Sequence, residues 1–162
     1  MMFMRFNKYN LIEAIKNNDI NQINFTLKNG KANINAKDKD GWTSLIWASC
    51  KGDLETVKLL IDNGADINAK DNEGWSVLME ASYEGHLGVV QYLVENGANI
   101  NDKDNGGWTA LMRASWRGYS EIVQYLIEIG ADINIKNDKC ETALDLADNE
   151  EIKEILRRAG DK

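Results

Sequence analysis

An all-α repeat solenoid, built of stacked helix-turn-helix units with short β-hairpin loops, follows from three features of this 162-residue chain. First, "GWTSLIWAS" begins at Gly41, "GWSVLMEAS" at Gly74 and "GWTALMRAS" at Gly107, so one pattern returns every 33 residues. Second, each copy carries a hydroxyl residue before a short apolar stretch and a glycine after it, the punctuation of brief helices. Third, no unit of this length closes a core by itself. Stacking neighbours side by side buries all their apolar faces at once.

Five units are expected in chain order. Residues 1–37 form an N-terminal capping unit, in which "LIEAIKNNDINQINFTLKNGKANINAK" matches the second half of the pattern with Lys31 as an insertion. Three full repeats follow at 38–70, 71–103 and 104–136, and a degraded copy at 137–162 closes the array. In each repeat Thr43, Ser76, Thr109 or Thr142 stands where a hydroxyl accepts from the free N–H groups of a first helix. Gly52, Gly85 and Gly118 end that helix in the three full repeats. A second helix follows, and Asn63-Gly64, Asn96-Gly97 and Ile129-Gly130 close it. Then comes "ADIN" or "ANIN" with an Asp- or Asn-led turn. Leu59, Leu60, Val90, Leu93, Val123 and Leu126 are expected in the core where second helices meet. Gly88 inside a second helix costs about 1 kcal/mol relative to Ala. The end units are polar, with Asn17, Asn18, Asn21, Gln22 and Asn24 at one end and Glu150, Glu151, Lys153, Glu154, Arg157 and Arg158 at the other. Such solvated caps keep an array soluble.

The period, the "T-x-L-x-x-A" motif and "G-A-D-I-N-A" together resemble the ankyrin repeat family, from about Leu11 to Gly160. The family's TPLH proline is replaced here by Ser44, Val77, Ala110 and Ala143, and its histidine by Ile46, Met79, Met112 and Asp145. Loss of proline at the first turn removes some preorganisation, about 0.5–1 kcal/mol per site. The resemblance implies a right-angled, L-shaped stack whose concave face, made of hairpins and first helices, binds partner proteins. It also implies hairpin-bracing roles for Asn35, Asn68 and Asn134, which resemble asparagines hydroxylated in animal members.

Composition excludes several other functions. A formal charge of −7 opposes general nucleic-acid binding, which needs clustered Lys and Arg. No apolar run approaches the roughly 20 residues of a membrane span, and "MMFMRFNKYN" lacks the small-residue cleavage site of a signal peptide. Cys50 and Cys140 lie far apart without a CxxC or histidine partner, as free thiols of a reducing compartment do. Localisation is therefore expected to be cytoplasmic, or secreted into a host cell if the source is an intracellular bacterium. His86 is the single histidine and sits in "EGHLG", where related repeats carry a structural one. No phosphate loop or nucleophile elbow is present. The expectation is a monomer with no catalysis, no cofactor and no metal.

The aromatics carry the functional expectation. Trp42, Trp47, Trp75, Trp108 and Trp116 all fall between hairpin and first helix, and Tyr83 shares a first-helix position with Trp116. Trp42, Trp75 and Trp108 are expected to form a ladder along the hairpins, with Trp47 and Trp116 the more exposed. Exposed aromatics in a groove are the usual anchors of an interface. Glu80 aligns with Arg113 and Glu84 with Arg117 one repeat apart, so each pair is expected to bridge inside the array or re-pair with a partner. Two functions fit. One is a protein-protein interaction module binding another protein through these ten residues; the other is a structural or designed scaffold in which the aromatics only pack.

Overall fold

A computed structural model describes residues 10–30 and 32–161. The opening stretch "MMFMRFNKYN" therefore lies outside the described residues, apart from Asn10. Ten helices are found among them, in five antiparallel pairs. The first helices are α1 (Leu11–Lys16), α3 (Ser44–Cys50), α5 (Val77–Glu84), α7 (Ala110–Arg117) and α9 (Ala143–Leu146). The second helices are α2 (Ile20–Lys28), α4 (Leu54–Asp62), α6 (Leu87–Glu95), α8 (Ser120–Glu128) and α10 (Glu150–Gly160). First helices pack on first helices along the chain, and α4, α6, α8 and α10 form a second row.

Helix starts obey the hydroxyl rule. Thr43, Ser76, Thr109 and Thr142 accept from the backbone N–H of Ile46, Met79, Met112 and Asp145. Each satisfies one N–H that the helix itself leaves free. Backbone chirality then ends the helices: Gly52 has φ +70°, and a Cβ there would lie 2.5 Å from the His86 ring. Any other residue at this position meets both backbone strain and a clash. His86 in turn donates from Nε2 to the Cys50 carbonyl oxygen at 2.9 Å, so its role is to tie one unit to the next.

The core repeats with the same period. Val57, Val90 and Val123 are fully buried, as are Leu60, Leu93 and Leu126. Leu45, Leu78 and Leu111 form a third such row on the first helices. Leu59 departs from expectation and is only half-buried against this core. It occupies the position of Tyr92 and Tyr125, at the margin of the second-helix face, where the packing surface meets solvent.

Hydrogen bonds between hairpins copy themselves every 33 residues. Lys37, Lys70 and Lys103 each donate from Nζ to the carbonyl of the residue 33 places on. The Asn35 and Asn68 side chains accept from Asp66 and Asn99 N–H at 2.8 Å, the bracing expected of them, and Asn101 does the same for Asp132. The "ADIN" segments are turns rather than strands of a sheet. Among the described residues only two isolated bridges occur, Lys37 with Thr43 and Lys70 with Ser76.

Candidate protein-binding surface

Each hairpin turn is organised by one acid. Asp38 Oδ1 accepts from the N–H groups of Asp40 and Trp42, Asp71 Oδ1 from Glu73 and Trp75, and Asp104 Oδ1 from Gly106 and Trp108. The acid locks the turn, and the locked turn sets each indole beside the first helix of its own unit.

In two of the three repeats the second oxygen of the acid meets the first-helix side chain nine residues on, Trp47 or Arg113. In the first full repeat Trp47 donates its indole N–H to Asp38 Oδ2 at 2.9 Å, and Lys16 lies 3.8 Å from the same oxygen. The Trp47 ring packs against Trp42 at 4.6 Å, with the Lys16 ammonium 4.7 Å above it. Trp47 is thus a held, half-buried side chain, not the exposed one expected from its break with the repeat pattern. In the third full repeat Arg113 makes a close, buried ion pair with Asp104 Oδ2. Its guanidinium lies 3.6 Å from the centroid of Trp75 and 4.5 Å from that of Trp108.

The middle repeat carries Glu80 at this position, and Glu80 does not bridge to Arg113. Among the described residues no Lys or Arg lies within ion-pairing distance of it, and only 5% of its surface is exposed. Arg113 is drawn instead to Asp104 in its own unit, where two indole faces also receive it. Burial pushes the Glu80 carboxyl up to about 7, and neighbouring Glu84 and Asp71 add to this; a hydrogen bond from Cys50 and the charge of Arg113 work the other way. Burial beside Glu80 and Glu84 likewise pushes the Cys50 thiol up to about 12. Cys50, Glu80 and Glu84 bring one sulfur and two carboxylates within 4.8 Å of one another. With its proton held by burial and by the two carboxylates, Cys50 is a thiol here rather than a thiolate ligand.

Glu84 does not pair with Arg117 either. Arg117 donates from Nε to the Tyr83 carbonyl at 3.0 Å and from a terminal nitrogen to the Tyr119 hydroxyl at 3.3 Å. Its guanidinium lies 4.6 Å from the Tyr83 ring centroid. Tyr83 and Glu84 are adjacent residues at the end of α5, and Arg117 reaches across from α7 to the Tyr83 carbonyl rather than to the Glu84 carboxylate.

The hairpin tryptophans form no direct ladder. Arg113 separates Trp75 from Trp108, and a cavity lies between Trp42 and Trp75. Continuity comes from the first helices: Trp75 meets Tyr83 edge-on at 5.3 Å, Tyr83 stacks on Trp116 at 6.0 Å, and Trp116 meets Trp108 edge-on at 6.2 Å. Trp116 is 48% exposed, in contrast to the four half-buried tryptophans. Four of the ten expected side chains thus form one aromatic strip, with Arg113 and Arg117 stacked upon it.

The comparisons agree with this architecture. The family described as ankyrin repeats in three copies matches residues 11–104 and 74–137. The chain belongs to the ankyrin repeat family. Ankyrin repeats are in general non-enzymatic protein-interaction modules. Similar proteins include the acyl-CoA-binding domain-containing protein 6 homolog of Dictyostelium discoideum, 48% identical over 48 residues, which are 30% of this chain and 17% of that protein. The human DNA-binding protein RFXANK is 40% identical over 47 residues, 29% of this chain and 18% of its own length. The chain thus spans less than a fifth of either relative, a stretch of about one and a half repeats. Among the described residues no helix is long and apolar enough to cross a membrane.

Proposed function

We propose that this ankyrin array is a cytoplasmic, non-catalytic module that binds another protein along its hairpin and first-helix face. Its units divide at Asp38, Asp71, Asp104 and Asn137. The observation that carries this reading is Trp116. A large aromatic side chain is left half in solvent while it extends a strip of packed rings through Tyr83, Trp75 and Trp108. Consensus packing accounts for the half-buried hairpin indoles, but it leaves no reason for an exposed ring within the strip, between Tyr83 and Trp108. Rigid aromatic anchors offer a large contact area at little entropic cost, which is why they dominate interface energetics. Arg113 and Arg117 on the strip, with Glu80 and Glu84 beside it, would orient the partner.

Parallel capture experiments test the proposal. Wild-type protein, the Trp116→Ala variant and the Glu121→Ala variant on the second-helix row are immobilised and exposed to one lysate. A protein retained by the wild type and Glu121→Ala, and lost with Trp116→Ala, supports the surface. Equal retention by all three would place binding elsewhere.

A further inference from the structure

We infer that the cavity between Trp42 and Trp75 receives the guanidinium of an arginine side chain from the bound partner. The inference rests on the hairpin face being the protein-binding surface, and the molecule supplies its own comparison. Two cavities open between successive hairpins, and they are lined by corresponding positions one repeat apart. The second lies between Trp75 and Trp108 and holds Arg113, stacked on both indoles and paired with Asp104. The first, about 380 Å³ in volume, lies between Trp42 and Trp75 beside Asp71.

The two differ at the position that supplies the cation. Arg113 is replaced by Glu80, so the first cavity has the indole walls and the turn acid but no basic side chain among the described residues that line it. Asp38 is served by Trp47 and Lys16, and Asp104 by Arg113. For Asp71, among the described residues, no Lys or Arg lies within ion-pairing distance, while both N–H groups of its turn are held by Oδ1. Glu80 is more than nine-tenths buried, lines the same cavity and, among the described residues, has no Lys or Arg paired with it. Asp40 and Glu73 add further negative charge at the rim, on a chain of net charge −7.

Chemistry selects the occupant. A guanidinium is planar, so it stacks on an indole while its edge donates to a carboxylate; a compact ammonium does only one of these well. Arg113 does both in the neighbouring cavity. A partner arginine entering from solvent would use the Trp42 and Trp75 faces, with Asp71 Oδ2 and Glu80 as acceptors. Closing on a cation also removes the mutual repulsion of Glu80, Glu84 and Asp71.

The test uses the whole chain and a blocked Gly-Arg-Gly tripeptide, with its citrulline counterpart as the neutral isostere. Indole N–H signals are followed by nuclear magnetic resonance. The arginine tripeptide is expected to shift Trp42 and Trp75 saturably in the millimolar range, the citrulline one at least about tenfold more weakly. Asp71→Asn keeps the turn, because Asn137 makes the same two N–H contacts through its Oδ1 in the last unit. This variant should weaken arginine binding about tenfold. Glu80→Arg should abolish it by filling the cavity from within. Equal response to citrulline, indifference to Asp71→Asn, or shifts confined to Trp116 would overturn the inference. Should Glu80→Arg fail to fold, Asp71→Asn decides alone. Loss of a captured partner with Trp116→Ala, while the tripeptide leaves Trp42 and Trp75 unmoved, would keep the binding surface and remove the arginine pocket. Tripeptide binding with partner capture untouched by Trp116→Ala would do the reverse.

Discussion

Glu80 is the residue whose charge the fold resists. Burial pushes its carboxyl up to about 7, against an ordinary value of 4.5. The unfolded chain therefore gives up this proton at lower pH than the folded one. Between about pH 4.5 and 7 the folded state binds more protons, so stability falls as pH rises through that window and levels off above it. Cys50, Glu84, Asp71 and Arg113 are the titratable or charged groups around it. Glu80→Gln should remove most of this slope, an effect on the order of 2–3 kcal/mol, as read from urea midpoints at pH 5 and pH 8. An unaltered slope would locate the titration elsewhere. The thiols offer a second check at this scale. Cys50 is partly buried and held protonated, whereas Cys140 is exposed, so iodoacetamide at pH 8 should label Cys140 well before Cys50. Simultaneous labelling would contradict the cluster.

At the scale of the element, the second-helix row divides into positions that bear load and positions that do not. Leu93 is fully buried, so Leu93→Ala should cost about 2–5 kcal/mol by urea denaturation. Leu59 stands at the margin, and Leu59→Ala should cost less than half as much. Equal losses would mean that the two faces are wrongly assigned. The first helices show a different feature: Ser49, Ser82 and Ser115 are wholly buried, and their hydroxyls have no hydrogen-bond partner. Close helix contact explains the small side chain but not the oxygen. Relief of an unpaired hydroxyl should make Ser82→Ala neutral to stabilising, by about 1 kcal/mol. A loss of stability in the same urea assay would reveal a hidden partner.

Among the described residues the main helix contacts run within a unit or between neighbouring units, so stability is a chain of unit and interface contributions. A core lesion in the middle should then uncouple the two ends. Leu93→Ala is expected to broaden or split a single unfolding transition, with tryptophan fluorescence and circular dichroism no longer coinciding. Coincident, sharp transitions would show stronger long-range coupling than the contacts imply. Trp116→Ala should behave oppositely to Leu93→Ala. A 48% exposed ring contributes little to folding, so stability should change by less than about 1 kcal/mol, while partner affinity falls by about 2 kcal/mol or more. A large stability loss with affinity intact would assign the ring to packing.

The array itself was legible in the chain because its determinants are local. A threonine or serine cap, a left-handed glycine and apolar residues at helical spacing act within a few residues, and their return every 33 positions implies stacking. The family and the exposed Trp116 could be read in the same way. Pairing within the surface could not. Glu80 and Arg113 occupy equivalent positions and carry opposite charges, which suggests a bridge. Yet Arg113 turns to Asp104 and two indoles, and Glu80 is left buried beside Cys50 and Glu84. A side chain chooses among several partners within reach by burial, distance and direction, and only the folded stack sets those. One signal was available: Asp38, Asp71 and Asp104 in register with Trp47, Glu80 and Arg113 show a donor at both ends and an acid in the middle. That these columns meet in space, and that indole walls enclose the acid, is decided by how neighbouring hairpins pack.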